Sequence, residues 1–127
     1  MNLLSINKNT LDNITNIPNF SQLAILFEDM DSIQSDNKIQ TLSLLVEKLR
    51  QNGELVIKIS DYSKIIDALC HNRLDAETGL GLLHKIKFYT DPMVIINHIV
   101  SLEPKIILYK MIEDNYGVIL TLKRTEY

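Results

Sequence analysis

Residues Leu49 to Tyr62 read LRQNGELVIKISDY, and their interpretation decides the fold. The spacing predicts a helix ending over Leu49-Arg50-Gln51-Asn52, with Gly53 as its left-handed cap, since glycine takes positive φ without steric cost. Glu54 to Ser60 then alternates as a strand, with Leu55, Ile57 and Ile59 on one face and Val56 and Lys58 on the other. Lys58 on the second face predicts either that this side of the sheet is only partly covered or that the end of the strand is near solvent. Asp61 supplies the side-chain acceptor that a following helix, Tyr62–Asn72, needs at its start. A helix, a strand and a helix in this order form a unit of an α/β sheet.

Working towards the N-terminus, Ile39, Leu42, Leu45, Val46 and Leu49 recur at helical spacing. Ser35 or Asp36 is the expected cap of that helix, with Glu47 and Lys48 on its outer face. Phe20 to Phe27 (FSQLAILF) is apolar at nearly every later position, the pattern of a strand covered on both sides. Before it, Leu3–Ile6 predicts a short strand, and Leu11, Ile14 and Ile17 predict a short helix closed by Pro18.

Towards the C-terminus, Tyr62–Asn72 carries Ile65, Ile66 and Leu69 as its core face, with Cys70 expected inside the same face as a small hydrophobe. Asp75 is expected to cap the next helix, in which Leu80, Leu82, Leu83 and Ile86 are the buried positions. Gly79 and Gly81 each weaken that helix by roughly 1 kcal/mol relative to alanine. Thr90-Asp91-Pro92 predicts a further helix start, a capping side chain followed by proline at the first helical position. Lys105–Glu113 and Val118–Lys123 then read as two strands joined by turn chemistry at Asp114-Asn115-Tyr116-Gly117, an antiparallel hairpin.

The expected fold is therefore α/β in a single domain spanning 1–127. It is a three-layer, Rossmann-like mixed sheet with a parallel centre and a C-terminal antiparallel hairpin. A chain of 127 residues with 46% hydrophobic and 23% charged residues builds one ordinary core. The net charge of −3 argues against a nucleic-acid partner, which calls for a basic face. No apolar run approaches the roughly 18 residues of a membrane span, and the polar residues after Leu4 do not resemble a secretory leader. One cysteine allows no internal disulfide. The expectation is a soluble, cytoplasmic protein.

The helix–strand–helix order and the terminal hairpin resemble the C-terminal half of the class I S-adenosylmethionine-dependent methyltransferases. Leu49, Gly53, Leu55, Ile57 and Asp61 match the family pattern L-x-x-G-G-x-L-x-I-x-x-x-D, with Asn52 in place of its first glycine. Phe27, Glu28 and Asp29 lie over the start of its L-E-H motif, with Asp29 where histidine is common. The resemblance runs from about Phe20 to Arg124, and it implies that the final hairpin strand inserts beside Glu54–Ser60. It also implies a cofactor site that this sequence departs from. The family holds S-adenosylmethionine on a glycine-rich turn in its N-terminal half, whereas no glycine precedes Gly53 here.

The expected function is thus a non-catalytic, methyltransferase-like binding or assembly module that forms a homo-oligomer or joins a partner protein. The alternative is a methyltransferase subunit that binds S-adenosylmethionine only when a partner chain completes the site. No catalytic residue is assigned. Glu28, Asp29 and Asp61 are the rim candidates for cofactor contact, joined by Asp31 in the same acidic stretch, because α/β sheets place ligands beyond the C-terminal ends of their strands. Two such carboxylates in contact would shift each other's pKa, while their structural alternative is capping and solvation. In the resembling family the region of Leu80–Tyr89 often covers the active site, so the resemblance implies this segment, with His84, Lys85, Lys87 and Tyr89, as the contact surface. Its structural alternative, the one favoured by the residues themselves, is core and solvated helix faces. His71, His84 and His98 sit in separate segments without ligand spacing, so no metal site is expected. Cys70 and His71, as neighbours on a helix, point about 100° apart and do not form a nucleophile–base pair.

Overall fold

The structure, a computed structural model, describes residues 3–7, 9–86, 94–95, 97–98, 106–113 and 116–125. The Thr90-Asp91-Pro92 helix start, the last part of Leu80–Tyr89 and the Asp114-Asn115 turn lie outside the described residues. Five strands, β1 (Leu3–Ile6), β2 (Gln22–Phe27), β3 (Leu49–Ser60), β4 (Ile106–Glu113) and β5 (Gly117–Arg124), form one mixed sheet. Among the described residues, α1 (Ser35–Glu47), α2 (Tyr62–Cys70) and α3 (Ala76–Lys85) accompany them, and residues 94–95 and 97–98 are also helical.

The strand order is β1-β2-β3-β5-β4. β1, β2 and β3 run parallel. β5 returns antiparallel to β3, with Ile57 opposite Leu120 and Ile59 opposite Val118, and β4 pairs antiparallel on its far side. The last strand therefore lies between β3 and its own hairpin partner.

Alternation in the strands sets the core. Leu55, Ile57 and Ile59 join Ile25, Phe27, Val118, Leu120 and Leu122 in one cluster, packed with Leu42, Leu45 and Val46 of α1 and with Ile95. The intervening residues Val56, Ile119 and Thr121 are only half-buried and Lys58 is exposed. The sheet has one dry face and one that is partly open.

The quoted stretch departs from expectation in one respect. The helix stops at Glu47, and Leu49, Arg50 and Gln51 already belong to β3. Asn52, at φ 64°, takes the left-handed conformation in place of Gly53. Asparagine tolerates that region better than most side-chain-bearing residues. The register explains the turn: Gln22 pairs with Leu49 but Ala24 with Glu54, so the chain of β3 bulges between them. Gly53 is needed for proximity, since a Cβ there would stand 2.8 Å from both the Gln22 and the Arg50 carbonyl oxygens.

What ends α1 comes from elsewhere in the chain. Phe20 N–H donates to the Glu47 carbonyl at 3.0 Å, and Ser21 and Gln22 N–H donate to that of Lys48. Buried Arg124 donates to the Val46 carbonyl at 3.2 Å while its guanidinium lies 4.6 Å from the Phe20 ring centroid. Cations beside the last carbonyls of a helix also complement its dipole. Lys48, expected outside, is buried with its Nζ 2.7 Å from Asn19 Oδ1. Phe20, expected in the strand, adopts φ 59° in the turn before it. At the other end, Ser35 and Asp36 are inside α1, whose N-cap is Gln34, without a side-chain capping bond among the described residues.

α2 and α3 begin where the sequence predicts. Asp61 accepts from Ser63 N–H and Asp75 from Thr78 N–H, both at 2.9 Å. The Thr78 backbone bond, then its side chain, holds the Asp75 carboxyl below its ordinary value. Ile65 and Ala68 are the buried stripe of α2, whereas Ile66 and Cys70, one turn apart on the other side, are exposed. That phase removes Cys70 from the core face where it was expected. In α3 Leu80 is likewise exposed and Leu82 and Leu83 are half-buried, but Ile86 is buried. Gly79 lets α3 approach α2, because a Cβ there would fall 2.3 Å from a Leu69 methyl.

The two glycines predict opposite outcomes. Gly53→Ala places a methyl against two fixed carbonyls and is expected to cost about 1–3 kcal/mol in urea unfolding. At Gly81, where a Cβ meets nothing within 4 Å, Gly81→Ala is expected to stabilise by about 0.5–1 kcal/mol.

Candidate functional site

The C-terminal ends of β2 and β3 lie side by side because the strands are parallel, with Phe27 opposite Ile57. Glu28 and Asp29 leave β2, and a short 3-10 turn over Met30–Ser32 follows. Met30 is fully buried and anchors that turn. Beyond these ends is a cavity of about 300 Å³ whose lining includes Glu28, Asp31, Lys58, Ser60, Leu82 and Tyr116. Its position is the one where α/β sheets hold ligands.

The four acids of the rim do different things. Glu28 faces the cavity and pairs with Lys58, Nζ to carboxylate 3.7 Å, with both side chains about half exposed. Such surface pairs are worth less than about 1 kcal/mol. Asp31 directs both carboxylate oxygens at the Ser60 N–H, each 3.3 Å away, and so ties the turn after β2 to the end of β3. Asp61 is occupied as the cap of α2, and its N–H donates to the Tyr116 carbonyl at 2.9 Å. Asp29 is the N-cap of the 3-10 turn and, like Asp61, is not part of the cavity lining. Of the three rim candidates, the structure brings only Glu28 into the cavity, together with Asp31.

Lys58 and Tyr116 join the lining without a sequence motif that marks them, and Lys38 lies outside the described lining. Lys58 was visible as a charge in a strand, but its partner needed the β2–β3 register. Lys38 is 1% exposed and sits one turn before buried Thr41 and Leu42 on the inner stripe of α1. Its spacing with those residues was a usable signal. Burial pushes the Lys38 ammonium below its ordinary pKa, and the nearby Asp31 charge opposes that shift.

Leu82 is the only residue of the Leu80–Tyr89 segment in the described lining of this cavity. His84 and Lys85 are exposed in the last turn of α3. His71 Nδ1 lies 3.2 Å from Asp67 Oδ1, and Arg73 pairs with the same carboxylate. Among the described residues no group of three His, Cys, Asp or Glu side chains converges as a metal site. No helix among them is long and apolar enough to cross a membrane. The described lining combines the Glu28–Lys58 ion pair, Asp31, Ser60 and Tyr116 with apolar Leu82, Val118 and Ile119.

Set against models of known families and against curated proteins, the chain matches none.

Two measurements separate the rim's roles. Asp31→Ala leaves the Ser60 N–H without its acceptor and is expected to cost about 1–3 kcal/mol. Glu28→Gln, on a half-exposed pair, is expected to cost less than about 1 kcal/mol; equal losses in chemical denaturation would contradict this division. Lys38 predicts a pH dependence. Its folded pKa lies below 10.5, so in the window between the folded and unfolded values the unfolded chain binds the extra proton. Folding stability therefore rises as pH climbs through that window, and the charging penalty is fully present below it. Comparison of urea midpoints from neutral pH towards 10.5 should show this rise in the native protein and a flatter profile in Lys38→Met.

Proposed function

We propose that the chain is a methyltransferase-like α/β module that binds or assembles with protein surfaces and holds no cofactor by itself. The observation that carries this reading is the turn after β1. Beside β2, β1 occupies the sheet edge from which a cofactor loop would extend, but its turn is closed on itself. Asn7 Oδ1 accepts from the N–H groups of Asn9 and Thr10, at 2.8 and 3.0 Å, and Thr10 Oγ1 accepts from Asn7 N–H at 3.0 Å. The N–H groups of Asn7, Asn9 and Thr10 are thereby used, and no glycine in residues 7–21 allows a close backbone approach.

The methyltransferase-like part of the reading is supported by the placement of β5 between β3 and β4, antiparallel beside the parallel pair β2–β3. In this view the sheet is a reduced Rossmann-like one. Self-association is supported by β4, an edge strand on which Ile107, Tyr109, Met111 and Ile112 are 43–54% exposed. Exposed edges of this kind invite pairing, although Lys110 and the register shift near Tyr109 moderate it.

A second reading, a methyltransferase subunit completed by a partner chain, is favoured by the rim cavity beyond β2 and β3. Calorimetry with S-adenosylmethionine distinguishes the two. The isolated chain is expected to give no binding heat and no thermal shift. Heat from the isolated chain would overturn the proposal, and heat only after a partner is added would establish the second reading. Light scattering is expected to report a mass near twice 14.6 kDa, and a strict monomer at high concentration would remove the self-association.

A further inference from the structure

We draw no further inference here: the strongest candidate, the outer edge of β4 with exposed Ile107, Tyr109, Met111 and Ile112, belongs to the self-association already proposed, and nothing in the structure shows what covers it.

Discussion

The structure depends on β3 being paired along both of its sides. Backbone N–H and C=O groups buried in a sheet must find partners, and β3 finds them in β2 on one side and β5 on the other. This double pairing places Leu55, Ile57 and Ile59 at 0–2% exposure, at the centre of the main core. It also imposes close backbone contact at both ends. Gly53 passes the Gln22 carbonyl, and Gly117 lies where a Cβ would be 2.5 Å from the Ile59 carbonyl oxygen. Glycine is fixed at these two places by proximity. α1 and Ile95 then cover the face that the alternation of β3 makes apolar.

The same pairing assembles the rim. Because β2 and β3 are parallel and adjacent, Glu28 reaches Lys58 and Asp31 reaches the backbone of Ser60. Acids that look alike in sequence are thereby separated into structural and solvent-facing roles. Asp31 and Asp61 close backbone donors at element ends, and Glu28 is left facing the cavity. An acidic rim of this kind owes its shape mainly to the architecture of the sheet, which is why the proposed function rests on the closed turn after β1 and on topology.

Much of the fold was legible in local patterns. The period-2 alternation of Glu54–Ser60 and Val118–Lys123 gave the correct buried faces, and Asp61 and Asp75 were readable as caps because their acceptors bond within the same turn. The departures from local pattern share a cause in contacts distant along the chain. The end of α1 is held by Phe20, Ser21, Gln22 and Arg124, none of which can be inferred from Asn52-Gly53. The phase of α2 differs from the periodic expectation at Ile66 and Cys70, since apolar residues occur around much of that helix and only packing selects Ile65 and Ala68. Of the site, the sequence exposed the acidic stretch after β2, whereas the Lys58 and Ser60 contacts required the register.

By itself, the sequence determined the alternation of β3 and β5, which side of β3 is apolar, and where α2 and α3 begin, because periodicity and capping act within a few residues. Only the tertiary structure decided that the left-handed residue is Asn52, that Lys38 and Lys48 are buried, and which carboxylates line the cavity. These outcomes follow from the close approach of backbones far apart in the chain. The sequence lists the donors and acceptors, but the sheet register decides which of them meet.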